Sequence, residues 1–193
     1  ERLYEAIPEL IPEPVALLNT EQGEFAIQRG VSGFPWFQLE NEFKTLDQWG
    51  KLRSRALNAL EQLHSAIEQQ DEAKDFDIFF YAKQCLDEAL SLGLSLNETQ
   101  IARIQDKLEC LKGLAPMASI PQHGDYCLNN LIIEQNQIHI IDFEDYGMTR
   151  LPLFDHFSLA LSLSSSAPAN LQMTLEQEIK LCTDNILEKY KLS

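Results

Sequence analysis

The sequence has little of what would place it among metal-stapled, disulfide-bonded, membrane-bound or nucleic-acid-binding proteins. Its four cysteines, Cys85, Cys110, Cys127 and Cys182, are widely spaced and include no C-x-x-C pair. That argues against a zinc site or a disulfide framework and sets reduced thiols and a cytoplasmic location as the expectation. No apolar run reaches the roughly 20 residues of a membrane span. The opening Glu1-Arg2-Leu3-Tyr4-Glu5 is neither basic nor apolar, so it does not read as a signal peptide. An initiator Met is missing, and an upstream start is expected. Positive charge is scarce, with 15 Lys and Arg against 30 Asp and Glu, a net −15. Phosphate backbones and anionic membrane surfaces both need clustered cations, so neither nucleic acid nor membrane is expected as a partner. An acidic cleft would draw a cationic substrate, although a solvated acidic surface accounts for most of the charge. There is no internal repeat and no low-complexity segment.

What is present is a chain of 193 residues that is 45% hydrophobic, enough to bury a core in one domain or one and a half. Pro8, Pro12 and Pro14 rule out a long helix at the start. Val15–Leu18 and Glu24–Gln28 read as two short strands around the polar turn Asn19–Gly23, and a linker follows at Phe34-Pro35-Trp36. Thr45 opens a long helix with Gln48 as its capping-box partner. Trp49, Leu52, Ala56, Leu60, Leu63 and Ile67 form its apolar stripe. A second helix is expected over Glu72–Leu92, capped by Gly93, and a third from Asn97 to Gly113. Beyond the irregular stretch Pro121–Asn130, Leu131–Ile133 and Ile138–Ile141 read as short buried strands around the turn Glu134–Gln137. Helices are expected from about Leu153 to Leu163 and Leu171 to Tyr190. Strands first, then helices with one buried hairpin among them, predict an α+β fold with two unequal lobes.

The chemistry concentrates in His123-Gly124-Asp125-Tyr126-Cys127-Leu128-Asn129-Asn130 and, after the hairpin, Ile141-Asp142-Phe143-Glu144. An Asp five residues before an Asn, with a second Asp at a strand exit, is the polar skeleton of a phosphoryl-transfer loop and metal-binding segment. Mg²⁺ takes hard oxygen ligands and keeps several waters, so Asp142 as carboxylate and Asn130 as amide oxygen suffice for a site. Asp125 is the candidate to accept the proton of an attacking hydroxyl and to orient that oxygen. The hairpin predicts that Asn130 and Asp142 meet at one edge. His123 reads as loop support. Glu144, Asp145 and Asp155 are candidates to line a substrate pocket, and Asp155 is equally suited to bracing the loop by accepting backbone hydrogen bonds. His64 and His139 read as packing residues, and Cys127 as a small packing residue with nothing beside it to lower its pKa.

These residues resemble the aminoglycoside phosphotransferase and choline kinase superfamily, whose loop reads H-G-D-x-x-x-x-N where protein kinases read H-R-D. Ala59–His64 resembles that family's helix ending in L-H, and Leu151–Asp155 its segment after the metal-binding Asp. Phe25–Gly33 resembles the last strand of the N-lobe and the linker that meets adenine. The resemblance implies a protein-kinase-like fold: a mainly helical C-lobe over residues 39–193 with a short buried β-hairpin, and a remnant of a β-rich N-lobe and hinge over 1–38. It implies Mg²⁺ and ATP or GTP as cofactors, with Gln28, Arg29, Gly30 and Val31 at the nucleotide hinge. The γ-phosphate would pass to a hydroxyl of a small molecule such as an aminoglycoside, a choline-like amine, a sugar or an amino-acid alcohol. The chain departs from the family in having no Lys before Lys44 and no glycine-rich loop upstream of Gly23. Glu1 and Glu5 are the only candidates to pair with the missing Lys. Two other readings compete: a non-catalytic, pseudokinase-like binding module, and a metal-dependent hydrolase using His123, Asp125, Asp142 and His156.

Overall fold

The computed structural model describes residues 2–114, 116–135 and 137–189; of residues 40 and 185–189 it describes the backbone alone. Glu1 and Tyr190 therefore lie outside the described residues. The order of elements is α1 (Arg2–Ala6), β1 (Pro14–Thr20), β2 (Gly23–Gln28), β3 (Phe34–Pro35), α2 (Leu46–Gln70), β4 (Lys74–Phe76), α3 (Ile78–Ser91), α4 (Glu98–Leu111), β5 (Met117–Ser119), β6 (Leu131–Glu134), β7 (Gln137–Ile140), α5 (Phe154–Ser166) and α6 (Leu175–Lys189). This is the expected α+β arrangement. Two units are formed, one by residues up to 72 together with those from 120 onward, the other by 73–119.

In the larger unit α2 organises the core. Thr45 caps it by accepting from the Gln48 N–H, and the Gln48 side chain accepts from the Thr45 N–H in return. Every residue of the expected stripe is buried, together with Ala59 and Ala66. Leu131 and Ile133 of β6 and Ile138 and Ile140 of β7 join the same core, as do Leu159, Ala160 and Leu163 of α5. The β6–β7 register pairs Leu131 with Ile140 and Ile133 with Ile138, so period-two alternation puts all four on one face. Each buried aliphatic side chain contributes about 1.5–3 kcal/mol. Arg53 of α2 binds Glu178 of α6 through two hydrogen bonds of 2.8 and 2.7 Å, with the Glu178 side chain fully buried.

Five expectations are corrected. The hairpin is not alone: β3 adds to β6, pairing Phe34 with Ile133 and Pro35 with Ile132. Gly33 permits that approach, because at φ +111° a Cβ would lie 2.5 Å from the Ile133 carbonyl oxygen. Residues 72–77 are not helical. Lys74–Phe76 pairs with Met117–Ser119 in the smaller unit, and α3 starts only where the Asp77 carboxylate caps the Phe80 N–H at 2.9 Å. The turn between β1 and β2 is just two residues, Glu21 and Gln22, since Thr20 already pairs with Gly23. Leu153 stands outside α5 with a left-handed φ of 66°. The last helix begins at Leu175 rather than Leu171. In the smaller unit Asn97 and Gln100 form a second capping box at the start of α4. No helix among the described residues is long and apolar enough to cross a membrane.

Candidate active site

The loop from His123 to Asn130 lies between β5 and β6 and ends in a single 3-10 turn, Leu128–Asn130, closed by the Asn130 N–H donating to Cys127 O at 3.0 Å. Tyr126 fixes its centre: the ring is buried and the hydroxyl donates to Ala56 O of α2 at 2.7 Å. Burial pushes that phenol well above its ordinary pKa, so it remains a donor. Leu128 N–H donates to Ser162 Oγ of α5 at 2.9 Å.

Asn130 joins the two ends of the loop. Its Nδ2 donates to the Asp125 backbone oxygen and to Asp125 Oδ2, both at 2.9 Å. Among the described residues its amide oxygen accepts no hydrogen bond, and Asp125, an exposed residue, is held in one direction. The Ile141 N–H donates to Asn130 O at 3.0 Å. Asp142, the next residue, therefore leaves β7 beside Asn130, the neighbourhood expected from the hairpin. Asp142 is exposed and adopts φ +64°, a left-handed conformation that Asp tolerates better than most residues.

His123 is buried and fully engaged. One nitrogen, Nε2, lies 3.1 Å from Ile141 O, and the other, Nδ1, accepts from the Asp125 N–H at 3.4 Å. These partners require the neutral ring protonated on Nε2. Burial lowers its pKa, against the opposing pull of Asp155, the Ile141 carbonyl, Asp125 and Asp142. A histidine engaged on both sides offers no metal ligand, which removes a member from the hydrolase constellation. Among the described residues no three His, Cys, Asp or Glu side chains are grouped to hold a metal.

Asp155 stands at the first turn of α5, fully buried. Oδ2 accepts from the His123 N–H at 2.8 Å and faces His64 Nε2 at 3.0 Å, while Oδ1 accepts from the Gly124 N–H at 3.1 Å. Burial alone would raise its pKa, but the His64 and backbone hydrogen bonds together hold it below the ordinary value. Of the two roles open to it from the sequence, this geometry is that of the brace. His64, read as packing, is its partner; the only sequence signal was its place in the L-H pair. Gly124 is held against the segment after β7: at φ +91° a Cβ would meet Asp145 O at 2.5 Å. The Gly147 N–H donates to Gln122 O at 2.9 Å, and the Gln122 N–H to Thr149 O at 3.0 Å. Asp145 therefore lies beside the loop, and Glu144 next to it is exposed. Cys127 is half-buried, and burial with the nearby Asp125 pushes its thiol up, consistent with an unreactive residue.

The residues expected at the nucleotide hinge lie at and just after the end of β2. Gln28 pairs with Pro14, the Arg29 N–H donates to Glu13 O at 2.8 Å, and the Arg29 guanidinium meets Glu13 at 2.7 Å on the surface. Gly30 is exposed and Val31 half-buried. Glu5 lies exposed on α1.

The family profile described as the phosphotransferase enzyme family matches residues 2–180. The chain belongs to that family. Among solved structures it is similar to a glucosamine kinase in complex with glucosamine, ADP and inorganic phosphate, with TM-score 0.60, 16% identity, and coverage of 98% of this chain and 58% of that one. A choline/ethanolamine kinase family protein from Mesorhizobium loti matches with TM-score 0.57 and 17% identity over 94% of this chain and 58% of that one. An aminoglycoside phosphotransferase, APH(4)-Ia in ternary complex with ADP and hygromycin B, matches with TM-score 0.54 and 13% identity over 98% and 65%. These likenesses show a kinase-like α+β fold for this family member. The chain spans 54–58% of the length of the glucosamine kinase structures. No curated protein matches it in sequence.

Proposed function

We propose that this family member carries the phosphoryl-transfer lobe of a small-molecule kinase. It would move the γ-phosphate of ATP or GTP to a hydroxyl of a soluble acceptor, in the cytoplasm and with Mg²⁺ bound. In this reading residues 1–38 are a partial N-lobe and hinge, with nucleotide contact at Gln28, Arg29, Gly30 and Val31, and residues 39–193 are the C-lobe. The observation that carries it is the Asp125–Asn130 pair. One amide nitrogen holds the carboxylate of the proposed base, and the Asn130 backbone carbonyl accepts from the Ile141 N–H, the residue just before Asp142. One amide oxygen and one exposed carboxylate are hard donors of the kind Mg²⁺ accepts when phosphate oxygens and water complete its shell. The ion, once bound, supplies neutralisation of phosphate charge.

The residues of the chain do the rest. Asp125 Oδ2 is fixed by Asn130, and the other carboxylate oxygen accepts the hydroxyl of the acceptor and orients it for in-line attack. Asp155 and His123 hold the loop backbone in place so that this geometry exists before substrate arrives. Glu144 and Asp145 flank the loop with negative charge. With a net −15, that favours an acceptor bearing an amine. Glucosamine and hygromycin B, the compounds bound in similar structures, are the first acceptors to try, followed by choline-like alcohols.

The test is turnover by the full-length protein with Mg²⁺, ATP or GTP and a panel of amino sugars, aminoglycosides and amino alcohols. Asp125→Ala is expected to lower kcat by at least about 10²-fold while leaving nucleotide Kd within about twofold. Undiminished turnover in that variant would end the assignment. A wild-type protein with no nucleotide-induced thermal shift would favour the binding-module reading instead.

A further inference from the structure

The linker after β2 and the turn that carries Asn130 are joined by one side-chain bond. Trp36 Nε1 donates to Asn129 Oδ1 at 3.0 Å, across 93 residues of sequence. The Trp36 end is well fixed. Trp36 follows β3 directly, where Pro35 pairs with Ile132. Its ring meets Trp49 of α2 edge-on, with centroids 6.3 Å apart, and Trp49 is 1% exposed. The Asn129 end is the middle of a three-residue 3-10 turn. Such turns have poor internal hydrogen-bond geometry, so external anchors decide how their side chains are presented. Besides the Ile141 N–H on the Asn130 carbonyl, three side-chain anchors are found among the described residues. Asp125 holds the Asn130 side chain, Ser162 holds the Leu128 N–H, and Trp36 holds Asn129.

We propose that Trp36 is a positioning residue for the metal side of this loop: through Asn129 its indole N–H sets the direction in which Asn130 presents its amide oxygen to a divalent cation. The inference rests on the phosphotransferase reading. It also ties the cation site to the linker that follows the 28–31 hinge, because the residue that anchors the turn is part of that linker. Asp125 controls Asn130 from its amide nitrogen; Trp36 controls it from the neighbouring residue, so loss of either anchor leaves the other in place.

The experiment is Mn²⁺ binding to the full-length protein in the presence of ADP, read from the electron paramagnetic resonance signal of free Mn²⁺. Trp36→Phe keeps a ring against Trp49 and removes the donor. Mn²⁺ affinity is expected to fall about threefold to tenfold, the worth of one neutral hydrogen bond. Asn129→Ala, at an exposed position, should give the same loss and carries the test if the Trp36 variant folds poorly. The double variant should lose no more than either single one, because both remove one shared bond. Unchanged Mn²⁺ affinity in Asn129→Ala, or losses that add in the double variant, overturn the role of Trp36 and leave the phosphotransferase reading standing. A wild-type protein that binds no Mn²⁺ with ADP overturns both.

Discussion

Two antiparallel hairpins in this chain use the same kinds of residue and end in opposite surroundings. In β6–β7, Leu131, Ile133, Ile138 and Ile140 are 0–5% exposed. In β1–β2, Leu18 pairs with Phe25 and Ala16 with Ile27, yet every residue of both strands is exposed, Leu17 at 59% and Phe25 at 49%. Alternating apolar residues make a strand; only a second layer makes it a core. The second layer for β6–β7 is the stripe of α2 together with α5. The proposed metal ligands leave from the buried hairpin, where register is enforced by packing, since a one-residue slip would turn four aliphatic side chains to water. The exposed hairpin has no such constraint, and its register rests on its ladder and on the surface pair of Arg29 with Glu13.

The sharpest way to break the ordered region is to remove its brace. Asp155→Ala would leave the His123 and Gly124 N–H groups and His64 facing an apolar void. Removing one partner from such a buried charged network costs about 3–5 kcal/mol. Chemical denaturation should show this loss, and turnover should fall in the fraction that stays folded because the loop is no longer held. A loss under about 1 kcal/mol would mean that the other bonds to the loop, those of Tyr126 and Ser162 among them, hold it without Asp155.

Next comes the comparison itself. Leu131→Ala removes a fully buried side chain and is expected to cost about 2–5 kcal/mol. The urea midpoint should fall with an unchanged m-value. An m-value that also changes would show that the hairpin and the rest of the unit unfold separately.

How far these features were legible depends on the distance over which they act. The capping box of Thr45 with Gln48 was readable because both partners lie within one helical turn, and Asn97 was read as a helix start although its own box with Gln100 came only with the structure. The α2 stripe was readable too. The spacing of Asp125 and Asn130 singled out the loop, but the bond from Asn130 Nδ2 to Asp125 Oδ2 shows only in the folded chain. The pairing of β4 with β5 was not readable, since each strand is three residues long and its partner lies more than 40 residues away. The same is true of His64 with Asp155, 91 residues apart, and of Trp36 with Asn129. Each member of these pairs has an ordinary local explanation, a helix-face histidine or a linker tryptophan. Only chain closure brings out the long-range one. The sequence also puts Ile101, Ile104, Leu108 and Leu111 on one face of α4, and that stripe shows the converse. Its period is as clear as that of α2, but none of its residues is buried, because a period specifies a face and not what covers it.

A smaller effect comes from pH. The His123 ring is folded in its neutral form, and burial places its pKa below the ordinary 6.5. A group with a depressed folded pKa keeps its full contribution above the unfolded value and loses it as pH falls toward the folded one. Stability should therefore decline as pH drops below about 6.5, and protonation would break the bond that Nδ1 accepts from the Asp125 N–H. Asp155, also depressed, adds a second loss that begins below its ordinary value of 3.8. Urea midpoints between pH 7.5 and 5 test the first step. His123→Gln should flatten the decline there; a slope as steep as that of the wild type would assign the loss to another group.

The smallest expected effect lies on the exposed hairpin and bears hardest on the comparison. Leu18→Thr swaps an exposed aliphatic side chain, 47% accessible, for a β-branched one with good strand propensity. Substitutions at uncovered surface sites usually stay within about 0.5 kcal/mol of neutral, so the midpoint should hardly move. The same exchange at Ile133 would carry a hydroxyl into the core and cost far more. If Leu18→Thr in the full-length protein instead costs more than about 1 kcal/mol, the Leu18–Phe25 face is covered in solution. The two hairpins would then differ in which part of the protein covers them, and the β1–β2 register would be enforced by packing as well.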